Sequence, residues 1–131
     1  MPSQGRRGSA LVAAAVALAV CLSLVLNFEV AQAKAYRVGG ANGWTYGNIA
    51  SWPRGRHFRA GDTLVFKYDA EQYDVVVVNR AQYHSCNAPN NATTYHTGND
   101  HIKLVKGHHF FMCNIFPWHC KAGMRIAVKV V

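Results

Sequence analysis

Carboxylates are scarce in this chain. Six Asp and Glu stand against fourteen Lys and Arg in 131 residues, a formal charge of +8. With so few acids, chemistry that needs paired carboxylates has little to draw on. No Ser-His-Asp order, glycine-rich phosphate loop or His-Glu-x-x-His run occurs, and an enzyme is not expected. Repeats, linkers and the 3.6-residue periodicity of a full-length helix are also missing. Beyond residue 33 there is no second long apolar run and no hydrophobic C-terminal tail, so neither a membrane span nor a lipid-anchor signal is expected there.

What is present begins with a leader. Arg6 and Arg7 precede an apolar run from Ala10 to Leu26 that only Ser23 interrupts, and Ala31-Gln32-Ala33 is a small-x-small cleavage site. Residues 1–33 therefore read as a cleaved secretory signal peptide, with an uncleaved anchor as the competing reading. Residues 34–131 would form one small domain, able to bury about two-thirds of its chain surface. Losing Arg6, Arg7 and Glu29 takes the formal charge from +8 to +7. Losing Cys21 leaves Cys86, Cys113 and Cys120. In an oxidising compartment an odd number implies one disulfide and one thiol with another role, either bound to metal or buried and inert. Asn91-Ala92-Thr93 is an N-glycosylation sequon in a polar stretch, in keeping with a secreted, extracellular protein.

Short strand patterns fill the rest. Tyr36-Arg37-Val38 is an edge-strand candidate. Thr63 to Tyr68 places Leu64, Phe66 and Tyr68 on one face at period two. The four valines Val75 to Val78 suit a strand buried on both faces. Cys86 to Thr97 is polar and contains Pro89, and reads as loop. Strands are expected again at His101 to Val105, His108 to Met112 and Arg125 to Val131, the last with Ile126 and Val128 on one face. Short strands punctuated by turns at this spacing predict an all-β sandwich.

The stretch from Phe110 to Met124, between two of those strands, concentrates the chemistry. It carries a thiol, an imidazole and a thioether in Cys113, His119 and Met124, with Cys120 beside them. One Cys, two His and a weak axial Met make a mononuclear blue-copper electron-transfer site, so one further imidazole must come from elsewhere. Four segments occur in order: Val38-Gly39-Gly40-x-x-Gly43-Trp44-Thr45, Phe58-Arg59-Ala60-Gly61-Asp62, Val75 to Asn79, and the Cys113 to Met124 loop. Together they resemble the phytocyanins, and the basic, unanchored character resembles the plantacyanin or basic blue protein subgroup. The resemblance covers essentially all of Ala35 to Val131. It implies a cupredoxin-like Greek-key β-sandwich of eight or so strands with one disulfide, Cys86 to Cys120. It also implies one type 1 copper ion on Cys113, His119 and Met124.

Two positions depart from the pattern that the resemblance implies. The first imidazole ligand would stand just before the valine strand, where this chain has Tyr73-Asp74. The Cys-to-His loop would hold four residues, where this chain has five, Asn114 to Trp118, with Ile115 the apparent insertion and Trp118 in place of a small glycine. Asp74 is the neighbouring anionic donor, but adjacent strand residues point to opposite faces. His57, His84, His96, His101, His108 and His109 read as exposed, with the His108-His109 pair the best candidate replacement. Met112, Phe110, Phe111 and Phe116 read as core or loop-base packing.

The expected function is one-electron transfer by a small secreted blue-copper-type protein, a monomer with an unidentified redox partner. Cys113 would be the covalent path, His119 the exposed edge and Met124 the tuning ligand. The alternative is a copper-poor extracellular interaction or signalling module that works through its basic surface, including Arg54, Arg56 and Arg59. Anionic cell-wall polysaccharide fits such a surface. Nucleic acid does not, since secretion and the lack of any binding fingerprint argue against it.

Overall fold

The computed structural model describes residues 10–22 and 32–131. The chain divides into two units, Met1–Gln32 and Ala33–Val131. In the first, residues 10–22 are helical with every side chain exposed, Cys21 included. Among the described residues no helix is long and apolar enough to cross a membrane. Arg6, Arg7, Ser23, Glu29 and Ala31, on which the leader reading partly rests, lie outside the described residues.

The second unit is a two-sheet sandwich. Its strands are β1 (Ala35–Arg37), β2 (Thr63–Lys67), β3 (Val75–Val78), β4 (Thr94–Tyr95), β5 (Asn99–Lys103), β6 (Gly107–Met112) and β7 (Arg125–Val130). One sheet has the order β1-β2-β5 and the other β4-β3-β6-β7. β1 runs parallel to β2, with Tyr36 opposite Leu64. The β2–β5, β3–β4, β3–β6 and β6–β7 pairs are antiparallel, with Phe111 opposite both Val77 and Ile126. An isolated parallel bridge joins Phe58 to Val130.

Alternation explains the burial. In β2 Leu64 and Phe66 point inward and are fully buried, and in β7 Ile126, Val128 and Val130 do the same. The sheets meet where the Phe66 and Phe111 rings lie 5.3 Å apart, with Trp44 edge-on to Phe66 at 5.1 Å. The four valines of β3 are apolar on both faces because both faces are covered. Val75 joins the inter-sheet core. Val76 and Val78 join a second cluster with Phe110, Met112, Cys86 and Cys120. Met112 is therefore core.

Two short helices lie outside the expected strands. Helix α1 (Arg80–Ser85) begins with a capping box, in which Asn79 Oδ1 accepts from the Gln82 N–H at 2.8 Å and Gln82 Oε1 accepts from the Asn79 N–H at 2.9 Å. It ends at Cys86 in the left-handed region, φ 53°. Arg125 caps it from β7, donating to the Tyr83 carbonyl at 2.6 Å with its guanidinium 5.0 Å from the Tyr83 ring. Helix α2 (Pro117–Lys121) opens with proline in its first turn, where the missing N–H costs nothing. The expectation of continuous loop over Cys86 to Thr97 is corrected at Thr94–Tyr95, which pairs with Val75 and Val76.

Candidate metal centre

The loop from β6 to β7 is closed at its base by backbone hydrogen bonds. The Cys113 N–H donates to the Met124 carbonyl at 3.1 Å, and the Met124 N–H donates to the His119 carbonyl at 3.0 Å. Gly123, at φ +109°, lets the chain turn back towards β7. A Cβ there would sit 2.7 Å from Asn48 Oδ1, so the loop also packs against the 47–49 segment, where the Ile49 N–H donates to the Gly123 carbonyl at 3.2 Å.

Helix α2 sends two adjacent residues in different directions. Cys120 forms the disulfide with Cys86 beneath the outer face of the second sheet, with Cα atoms 5.7 Å apart. His119 turns its ring towards Cys113, and His119 Nδ1 lies 3.5 Å from Cys113 Sγ. Cys113 is outside the disulfide and fully buried, as is Met124. Burial pushes the Cys113 thiol up to about 11 from 9.0, against the pull of hydrogen bonding from the Asp74 and Ile115 backbones.

Asp74 anchors the site. Its carboxylate accepts from the Asn114 N–H at 2.7 Å, and its carbonyl accepts from Trp44 Nε1 at 2.8 Å. Asp74 precedes β3, which begins at Val75, so strand alternation does not govern it. Tyr73 is half-buried, with its ring centroid 5.5 Å from that of His119. Tyr46, Phe116 and Trp118 complete the ring around His119 at 5.3, 5.3 and 5.9 Å. Phe116 is exposed and stacked on Trp118 at 4.5 Å, which corrects its expected place at the loop base. Tyr46 and the anchoring role of Asp74 were missed by the sequence reading. Lone aromatic and acidic residues in turns give no periodic signal.

The plastocyanin-like domain family matches residues 43–124 of this chain. The basic blue protein of Cucumis sativus is 51% identical over 96 residues, covering 73% of this chain and 98% of its own. This chain belongs to the phytocyanin family. The basic blue protein of Arabidopsis thaliana is 42% identical over 130 residues, covering 98% of this phytocyanin and 99% of its own chain. Among solved structures, cucumber basic protein, a blue copper protein, aligns at TM-score 0.71 and 50% identity over 74% of this chain and 99% of its own. Cucumber stellacyanin aligns at TM-score 0.69 and 27% identity over 76% of this chain and 96% of its own. Phytocyanins are blue copper proteins, a family of electron carriers rather than enzymes.

The donor geometry tests whether a metal suits this phytocyanin. An ion bound at about 2.0–2.3 Å to an imidazole nitrogen and a thiolate, at a near-tetrahedral angle, holds the two donors about 3.5 Å apart. That is the separation of Cys113 Sγ from His119 Nδ1. These two side chains fit two donors of a single metal, and Met124, buried and joined to both through its backbone, is the candidate thioether donor beside them. They do not fit a complete two-imidazole centre. Among the described residues no group of three His, Cys, Asp or Glu gathers anywhere. His57, His84, His96, His101 and His108 are exposed, and His109 Nε2 lies 2.7 Å from the Val105 carbonyl.

Proposed function

We propose that this phytocyanin is a secreted one-copper protein of the electron-transfer class whose centre has lost one imidazole. Cys113, His119 and Met124 hold the ion, and Tyr73 stands where the second imidazole would be. The observation that carries this reading is the pair of distances at His119: 3.5 Å from its Nδ1 to the Cys113 thiol, and 5.5 Å between its ring and that of Tyr73. Copper, when bound, supplies a one-electron couple. Two sulfur donors in a buried pocket favour the softer Cu(I), and removing an imidazole removes a donor suited to Cu(II). The site is therefore biased towards the reduced ion.

The residues have separate tasks. Cys113 gives up its proton on binding and links the site to β6. His119 keeps a ring edge towards the aromatic rim. Met124 is fixed by its backbone bonds to both, and Asp74 holds the loop entrance through Asn114. Extracellular placement, one glycan at exposed Asn91, a monomeric state and contact of the basic surface with anionic polysaccharide belong to the same proposal.

The second reading is a copper-poor interaction module, favoured by Tyr73 and by the exposed rings around His119. Competition against a Cu(I) indicator and, separately, a Cu(II) chelator separates the two. One Cu(I) captured per chain, abolished by Cys113→Ser, supports the three-donor site. Capture of neither oxidation state supports the module.

A further inference from the structure

The rings around His119 do more than surround a donor: they line an open cleft of about 420 Å³. Four of them, Tyr46, Tyr73, Phe116 and Trp118, form its walls, with His119 among them. Glu71 and Gln72 supply the polar rim. That volume and that mixture, mostly aromatic with a few polar groups, are those of a small-ligand site. Phe116 and Trp118 stack nearly parallel, 14° apart, and both are exposed in spite of their apolar area.

Charge says which ligand the cleft takes. After leader removal the domain has five acidic residues and a formal charge of +7, and three of the five, Asp69, Glu71 and Asp74, fall within residues 69–74. Asp69 accepts from the Glu71 N–H at 3.0 Å, and Asp74 is occupied by Asn114 at 2.7 Å. Exposed Glu71 lines the cleft itself, and among the described residues no Lys or Arg does. Aromatic faces attract a cation through the negative face of the ring, and a carboxylate adds to that attraction. An anionic ligand would meet Glu71 with nothing to offset it.

We propose that this cleft binds a small monovalent organic cation of the alkylammonium class, with Trp118 and Tyr73 as ring contacts and Glu71 as the counter-charge. The cleft meets the metal donors only at His119, since Cys113 and Met124 are fully buried and do not line it.

The test uses choline as the cation and 3,3-dimethylbutan-1-ol as its uncharged isostere, each titrated into the purified protein while the indole resonance of Trp118 is followed by NMR. Saturable choline binding is expected, with the isostere roughly tenfold weaker or more. Trp118→Ala, read by calorimetric titration, should weaken choline about tenfold, and Glu71→Gln should weaken it several-fold while leaving the isostere unchanged. Both residues are exposed, and an unchanged melting temperature confirms that each variant is folded. Equal binding of choline and its isostere would overturn the proposal in favour of an apolar groove. Perturbation of Trp118 by a neutral methyl glycoside but not by choline would overturn it in favour of a sugar site, and no perturbation by choline would overturn it outright.

Discussion

The buried thiol of Cys113 gives a quantitative handle on metal capture. Its pKa is pushed up to about 11 by burial. At pH 7 the thiolate is then about one molecule in ten thousand, and forming it costs about 5 kcal/mol at 1.36 kcal/mol per pH unit. A metal that binds the thiolate must release that proton, so apparent Cu(I) affinity should tighten about tenfold for each pH unit between pH 7 and 9. Competition with a Cu(I) indicator at several pH values measures this slope, and Cys113→Ser should abolish it. A pH-independent affinity would refute the reasoning, because it would mean that the thiol is already ionised or is not a ligand. The same pKa has a consequence for metal-free stability. A group raised on folding, here from 9.0 to about 11, contributes stability present below pH 9 and lost as pH rises through 11. The loss is about 2–3 kcal/mol by denaturant titration, spread between pH 9 and 11, and Cys113→Ala should remove it. The half-buried Tyr68 hydroxyl, raised by desolvation and by its bond to Asp100, adds its own loss at higher pH.

Two further substitutions probe the frame around the site. The disulfide has a sequence separation of 34 residues, so the Cys86→Ala/Cys120→Ala pair should lose about 3–4 kcal/mol of unfolding free energy and frees α2, which carries His119. Asp74→Ala removes a charge-assisted bond to the Asn114 N–H and should cost about 1.5–3 kcal/mol, with faster amide exchange at Asn114 as the local sign.

How much of this was legible depends on whether a residue carries a periodic signal. The inward faces of β2 and β7 were readable because Leu64, Phe66, Ile126 and Val128 alternate with half-exposed or exposed neighbours. The double-sided burial of β3 was readable from four consecutive valines. The helices were harder. α1 announces itself only through Asn79-x-x-Gln82, a capping pattern without a hydrophobic stripe behind it, and α2 only through Pro117. β4 is two residues long, too short for any pattern, and exists because β3 offers it a partner. At the site, Cys113, His119 and Met124 were legible as donor types. The aromatic cleft was not, because Tyr46, Tyr73 and Trp118 come from three separate segments that only the fold brings together. Phe116 misled for a related reason, since ring size gives its apolar area but not its direction.

The central claim is that Tyr73, by standing where an imidazole belongs, withholds the blue centre. The most direct measurement is visible absorption during Cu(II) titration of wild type, Tyr73→His and Tyr73→His with Ile115 deleted. Intense blue colour comes from a short copper–thiolate bond in the trigonal field that two imidazoles and a thiolate create. The account predicts weak or colourless binding by wild type and a blue band on Tyr73→His. Colour only after deletion of Ile115 would shift part of the defect to the five-residue loop. An intense blue wild type would contradict the claim, since it would show that Cys113 and His119 complete the centre without the missing imidazole.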